Sequence, residues 1–347
     1  MYPVDAEEGF FLRLKIVVVT PATAGSRHGN RHTAARWAAL LRALGHRVRI
    51  QVAWDGAPAD LMIALHARRS HDSVVRYALA FPDRPLVLVL TGTDLYRDIR
   101  SDPNAEESMA LATRMVVLQE MGLRELHPAL RAKTRVIYQS ARHVAAQIPL
   151  KGCFEVVVSG HLRDEKDPFR AVAALAHLPP ESRIRITHIG AAMTPEMARS
   201  ARHWSRREPR YRWLGELPHG RALRVLSRAR LMVNSSRLEG GANVVGEALA
   251  AGVPVLASRI SGNIGMLGSR YAGYFPVENE RVLAELMWRA ESDPAFCREL
   301  KAQCRKRRAL VAPRREREAL RRLLAELART TPNLSPQRTQ RKSKSHN

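Results

Sequence analysis

NSSRLEGGANVVGEALAAGVPVLAS, residues 234–258, decides how this chain is read. It reads as strand, Gly-Gly turn, helix, turn and strand. Glu239 stands just before the helix and Glu247 eight positions later, roughly two turns into it. Between them Gly240, Gly241, Ala242 and Asn243, followed by Val244, leave the backbone open to a ligand. Free N–H groups at a helix start, with the positive end of its dipole, bind phosphate. Carboxylates at the same place accept hydrogen bonds from sugar hydroxyls. Either glutamate alone reads as an ordinary solvated side chain; the two together around an amide-lined helix start point to a nucleotide sugar.

The rest of the chain fits a two-domain α/β protein. Its 347 residues suffice for two domains of ordinary size, and 45% hydrophobic residues can fill two cores. Residues 14–20, LKIVVVT, form a β-branched run of the kind buried on both faces of a parallel sheet. Ala34, Ala35, Ala38, Leu41 and Leu44 then recur at helical spacing, with Gly45 as stop. In residues 46–53, Val48, Ile50 and Val52 point inward and the alternating Arg47, Arg49 and Gln51 outward. Strands at 61–65, 86–90, 115–118 and 135–138 and a helix at 70–81 continue a doubly wound pattern. A second series begins at 154–159, FEVVVS, with a helix expected over 167–178, strands at 185–189 and 211–214, and helices near 195–207 and 219–229. Helices follow at 280–291 and 294–310, and an amphipathic one at 314–329 with Leu320, Leu323, Leu324 and Leu327 on one side. Domains are therefore expected at 12–150 and 151–310, a last helix at 311–330 and a disordered basic tail at 331–347.

The net charge is +24, but sixteen Lys or Arg against four Glu in residues 298–347 carry half of it. Aromatic residues make up only 5%, too few for base stacking along a single strand. A specific nucleic-acid partner is thus disfavoured, and salt-sensitive binding through the tail is the low-ranked alternative. Cys153, Cys297 and Cys304 have no metal-ligand spacing and read as reduced thiols. Asp5, Glu7 and Glu8 precede the first apolar run, unlike a signal peptide, and no apolar run reaches membrane-spanning length. A cytoplasmic protein without a membrane partner is expected; its oligomeric state stays open.

The order Glu239, Glu247, Ala248, Ala250, Gly252, Val253, Pro254, Val255 and Ser258 resembles the donor-site signature of retaining GT-B glycosyltransferases of family 4. The resemblance implies two Rossmann-like domains facing across a cleft, with a C-terminal helix packing back on the first. It implies that Glu239 and the amides after it hold the donor sugar, and Glu247 the ribose. Residues 159–167, SGHLRDEKD, continue the likeness: Gly160 and Lys166 match, while His161 stands where the family has Arg. Lys166, with Arg163 sharing the work, would meet the charge of the leaving diphosphate. Residues 213–217, WLGEL, resemble the segment around the base, which includes Leu217. Asp94, closing the strand at 86–90 with Thr91, Gly92 and Thr93, falls where family members contact the donor.

Arg27, Asn30 and Arg31 lie after the first strand, and His66, Arg68 and Arg69 after the third, both at one edge of the first sheet. Such a set suits a small phosphorylated acceptor, although any single Arg in so Arg-rich a chain is more simply a surface residue. The segments SRHGNRHTAARWA, LHARRS, LTGTDLY, SGHLRDEKDPFRA and GGANVVGEALAAGVPVLASRISGNIGMLG resemble one branch of family 4, the selenosugar synthases of selenoneine biosynthesis. That implies transfer from UDP-N-acetylglucosamine or UDP-glucose to selenophosphate with formation of a carbon–selenium bond. The chain has no Asp-x-Asp triplet, so a metal-bridged diphosphate is not expected, nor any cofactor beyond the UDP-sugar substrate. A family 4 transferase for another phosphorylated or anionic acceptor is the alternative.

Overall fold

The computed structural model describes residues 13–22 and 29–331. They form two compact units. The first holds the described residues up to Val116, Ala129–Arg135 and the described residues from Arg317; the second holds Val117–Pro128 and Val136–Glu316.

The first unit is built on a sheet of six strands: β1 (Lys15–Val19), β2 (Arg47–Gln51), β3 (Leu61–Leu65), β4 (Leu86–Leu90), β5 (Arg114–Val117) and β6 (Thr134–Val136), in the order β2-β1-β3-β4-β5-β6. β1 pairs in parallel with both β2 and β3, and β3 with β4. β1, β3 and β4 are interior strands covered on both faces, which is why Val17–Val19, Leu61–Leu65 and Leu86–Leu90 need no polar alternation. β2 is an edge strand and alternates. It ends at Gln51, so Val52 lies outside it and is 48% exposed, not inward as its spacing predicts.

The second unit repeats the plan with β7 (Phe154–Ser159), β8 (Ile184–Ile189), β9 (Tyr211–Trp213), β10 (Leu231–Asn234), β11 (Val255–Ser258) and β12 (Tyr274–Phe275), in the order β12-β11-β10-β7-β8-β9. All five neighbouring pairs are parallel. Strand order reverses beside β7, and ligands of such sheets bind at the carboxyl ends near that reversal. The helix expected over 167–178 is shorter: an α-helix at Arg170–Ala174 and a 3-10 turn at Leu175–His177. Asp167 takes a left-handed backbone at φ +42° and Pro168 follows it, so the helix starts late.

The partition also differs from a cut at residue 150. Residues 136–150 are stitched to the second unit: Ala141 N–H donates to the Val311 carbonyl, the Tyr138 hydroxyl to that of Gly265, and Gln147 N–H to that of Ser227. From Arg317 onward the helix Pro313–Thr330 belongs to the first unit. Its four leucines are buried, and Glu326 accepts from Arg114 Nε at 2.7 Å and from the Arg135 guanidinium. Among the described residues no helix is long and apolar enough to cross a membrane. The tail at 332–347 lies outside the described residues.

Candidate functional site

At the carboxyl end of the second sheet two loops leave neighbouring strands. β7 and β10 pair through Val158 and Val233, so the loop after Ser159 and the loop after Asn234 emerge side by side. They are sewn together by hydrogen bonds to backbone carbonyls. Arg237 N–H donates to the Glu165 carbonyl at 2.9 Å, and the Ser235 hydroxyl to the Asp167 carbonyl at 2.8 Å. This stitching brings the Lys166 ammonium onto the Glu239 carboxylate, which also accepts from the Ser236 hydroxyl at 2.6 Å. Glu239 is 7% exposed and sits in a pocket lined by Gly160, His161, Lys166, Asn234, Ser236 and Val244, among others.

Next to it the helix Asn243–Ala251 starts at Ala242, whose side chain has no oxygen to cap it. The amides of its first turn therefore have no side-chain cap from their N-cap residue. Gly240 is buried and Gly241 half-buried; a Cβ on Gly241 would meet Leu118 Cβ at 2.7 Å, so only glycine allows this approach. Glu247, one face further along the helix, accepts from or shares a proton with His219 Nε2 at 2.8 Å. Leu217 is half-buried against the core of the same unit.

The loop carrying Gly160 rests on a tight floor. Gly190, at φ +153°, approaches it so closely that a Cβ there would fall 1.9 Å from the Gly160 carbonyl oxygen. His161 Nδ1 accepts from Ala191 N–H at 3.2 Å, which puts the ring proton on Nε2 while that bond is kept. Arg163 is half-exposed, its Nε 4.0 Å from the Glu165 carboxylate, and does not line the pocket. Beneath the loop His188 is buried, 2.9 Å from the Tyr211 hydroxyl. Burial pulls His188 down to about 3, against the Gly160 carbonyl, which favours its charged form. The unfolded ring takes up its proton near 6.5, the folded one only near 3. Stability from this residue is therefore fully present above about pH 6.5 and is lost as pH falls toward 3, by up to about 1.4 kcal/mol per unit. In urea titrations His188→Gln, which does not titrate, is expected to flatten that acid limb by about one proton; an unchanged slope refutes the assignment.

In the first unit, Asp94 is fully buried and both its oxygens are occupied. Oδ1 accepts from Thr91 N–H, Gly92 N–H and the Thr91 hydroxyl, and Oδ2 from Ala67 N–H at 3.1 Å. It ties the loops after β3 and β4 together, so its carboxylate has no accessible face to offer a donor. His66 is 2% exposed at φ +75°, an unusual backbone for a side chain with a Cβ, and its Nε2 lies 3.0 Å from the Thr93 hydroxyl. Burial holds its pKa down. Arg68 donates to Asp98 at 3.0 Å and lies 3.7 Å from Asp102, so its charge is matched within the fold rather than left for a ligand. Arg69 is exposed, and Asn30 and Arg31, in the first turn of the helix Gly29–Ala43, are half-buried. Arg27 lies outside the described residues.

The residues behind Glu239 enter the sequence reading only through the family likeness, with no contact assigned to them. The Ser258 hydroxyl donates to the Ser236 carbonyl, and Asn263 Nδ2 donates to Ser258 Oγ at 3.1 Å. A Cβ on Gly262 would fall 1.9 Å from the Glu239 carbonyl oxygen. The one available signal is SGNIG at 261–265, two glycines inside a helix, a pattern that marks close backbone approach.

Two Rossmann-like sheets follow the plan of the GT-B fold, and the second bears a Lys–Glu pair and an uncapped helix start at its strand ends. Residues 145–307 match the family model described as glycosyl transferases group 1. Among solved structures it is similar to HepE of Anabaena in complex with UDP and glucose, at 17% identity and a TM-score of 0.71 over 92% of this chain and 100% of that one. It is also similar to sucrose-phosphate synthase from Thermosynechococcus elongatus, at 16% identity and 0.73 over 92% and 100%. A glycosyltransferase from Rickettsia africae follows at 11% identity and 0.70 over 91% and 98%. A sequence search of curated proteins gives no match.

Proposed function

We propose that this chain is a cytoplasmic, metal-independent family 4 transferase that moves a glycosyl group from a UDP-sugar to selenophosphate. The observation that carries the donor half is the Lys166–Glu239 contact beside the uncapped start of the helix Asn243–Ala251. An ammonium meets a diphosphate, a carboxylate accepts from sugar hydroxyls, and first-turn amides stabilise added negative charge. The HepE structures, which contain UDP or UDP-glucose, support the nucleotide. Glu247 would take the ribose by exchanging its His219 contact for hydroxyls.

The acceptor half is supported by the likeness of the first-unit segments to selenosugar synthases and by Arg31 and Arg69 on that unit. In the reaction a selenium lone pair forms the bond to the anomeric carbon as the carbon–oxygen bond to UDP breaks, its electron pair leaving on the diphosphate. Water then cleaves the phosphorus–selenium bond, releasing phosphate and the selenosugar. Selenium is soft and already nucleophilic, so the transfer step needs no strong general base.

Purified protein given UDP-N-acetylglucosamine or UDP-glucose with selenophosphate is expected to release UDP and a selenium-containing sugar by mass spectrometry. The rate is expected to be unchanged by a chelator such as EDTA. UDP release only with another anionic acceptor would keep the transferase and remove the selenium assignment.

A further inference from the structure

Asn234 closes β10 and is 5% exposed. Its Oδ1 accepts from Ser236 N–H at 3.1 Å, which fixes which end of the amide is oxygen. Its Nδ2 has no partner. Among the described residues four buried side-chain atoms are in that condition, on Thr20, Asn234, Ser261 and Asn263, and of these residues only Asn234 lines the pocket beside Lys166 and Glu239. A buried donor without an acceptor is costly, and a binding site is one place where the cost is recovered when a ligand arrives.

The other polar groups there say what that ligand atom is. Glu239 Oε1 already receives Lys166 and Ser236, and the Ser235 hydroxyl is spent on the Asp167 carbonyl. What remains unspent on Asn234 is a donor, so its partner is an acceptor. The adjacent Lys166 ammonium selects an anionic one. Resting on the reading of this pocket as a nucleotide-sugar site, we infer that Asn234 donates a hydrogen bond from Nδ2 to a phosphate oxygen of the nucleoside diphosphate group.

Asn234→Asp keeps an oxygen for Ser236 N–H and replaces the donor by an acceptor, while Asn234→Leu removes donor and acceptor together. Calorimetry with UDP is expected to show binding weakened about tenfold for Asn234→Leu and further for Asn234→Asp. Without ligand, Asn234→Leu is expected to melt close to the wild-type chain, because loss of the unpartnered donor offsets loss of the Ser236 contact. A protein in which Asn234 were only structural would show the reverse, a lowered melting point with UDP affinity kept. In the unsubstituted chain, the Asn234 side-chain amide proton resonances are expected to move when UDP saturates the site, which requires no variant to fold. UDP affinity within twofold of wild type in both variants, or an unmoved resonance, overturns the inference alone. No UDP uptake by the wild-type chain overturns the nucleotide-sugar reading and this inference with it.

Discussion

Replacing Lys166 by Ala is expected to lower kcat/KM for the UDP-sugar by about a hundredfold or more, the range seen when one charge-stabilising donor is removed from a preorganised site. The ammonium lies in a low-dielectric pocket against a carboxylate that is 7% exposed, held by a loop stitched to its neighbour through Ser235 and Arg237. It costs little reorganisation to turn toward a leaving diphosphate. Glu239→Gln, nearly the same shape, should reduce transfer comparably by weakening acceptance from the sugar hydroxyls. Because the two groups share one contact, the double variant is expected to lose far less than the product of the single losses. Single-turnover rates with UDP release as the signal would decide this. Independent, multiplying losses would mean that the pair does not act as a unit and that the Lys166–Glu239 contact is only a surface bridge.

Much of the architecture was legible because burial on both faces writes itself as unbroken apolar runs. Residues 61–65, 86–90 and 154–159 coincide with β3, β4 and β7. The helix start after Gly240 and Gly241 was legible because flexible glycines and an uncapped alanine have few other uses in that order. What pairs with what was not legible. Arg68 and Asp98 are thirty positions apart, and nothing in either local pattern announces that they neutralise each other. Asp94 reads as a free carboxylate at a strand end until the backbone N–H groups of Thr91, Gly92 and Ala67 are seen to converge on it. Asn234 was passed over for a related reason: a strand-final Asn reads as a turn residue, and only the fold shows that half of its amide has no partner.

Gly190→Ala is expected to destabilise the second unit by about 3 kcal/mol and to remove donor binding with it. The added Cβ would stand 1.9 Å from the Gly160 carbonyl oxygen and 3.0 Å from His161 N, both backbone atoms that cannot swing aside as a side chain can. Those atoms are pinned. Gly160 N–H donates to the Ile189 carbonyl at 2.9 Å, Gly190 N–H to that of Gly215 at 2.8 Å, and Trp213 Nε1 to that of Gly190 at 2.9 Å. Relief of the clash must therefore lift the Gly160–His161 segment off its floor and carry the Lys166 loop away from Glu239. Gly252→Ala supplies the contrast, since Gly252 also has a positive φ, +74°, but nothing lies within 4 Å of its Cβ position. It should cost only the local backbone strain, about 1 kcal/mol, and leave UDP affinity intact. Urea denaturation and UDP calorimetry on the two variants separate a general glycine effect from a specific one. Equal losses would show that left-handed backbone alone is what these positions require, and that the floor under Gly160 does not hold the donor site in shape.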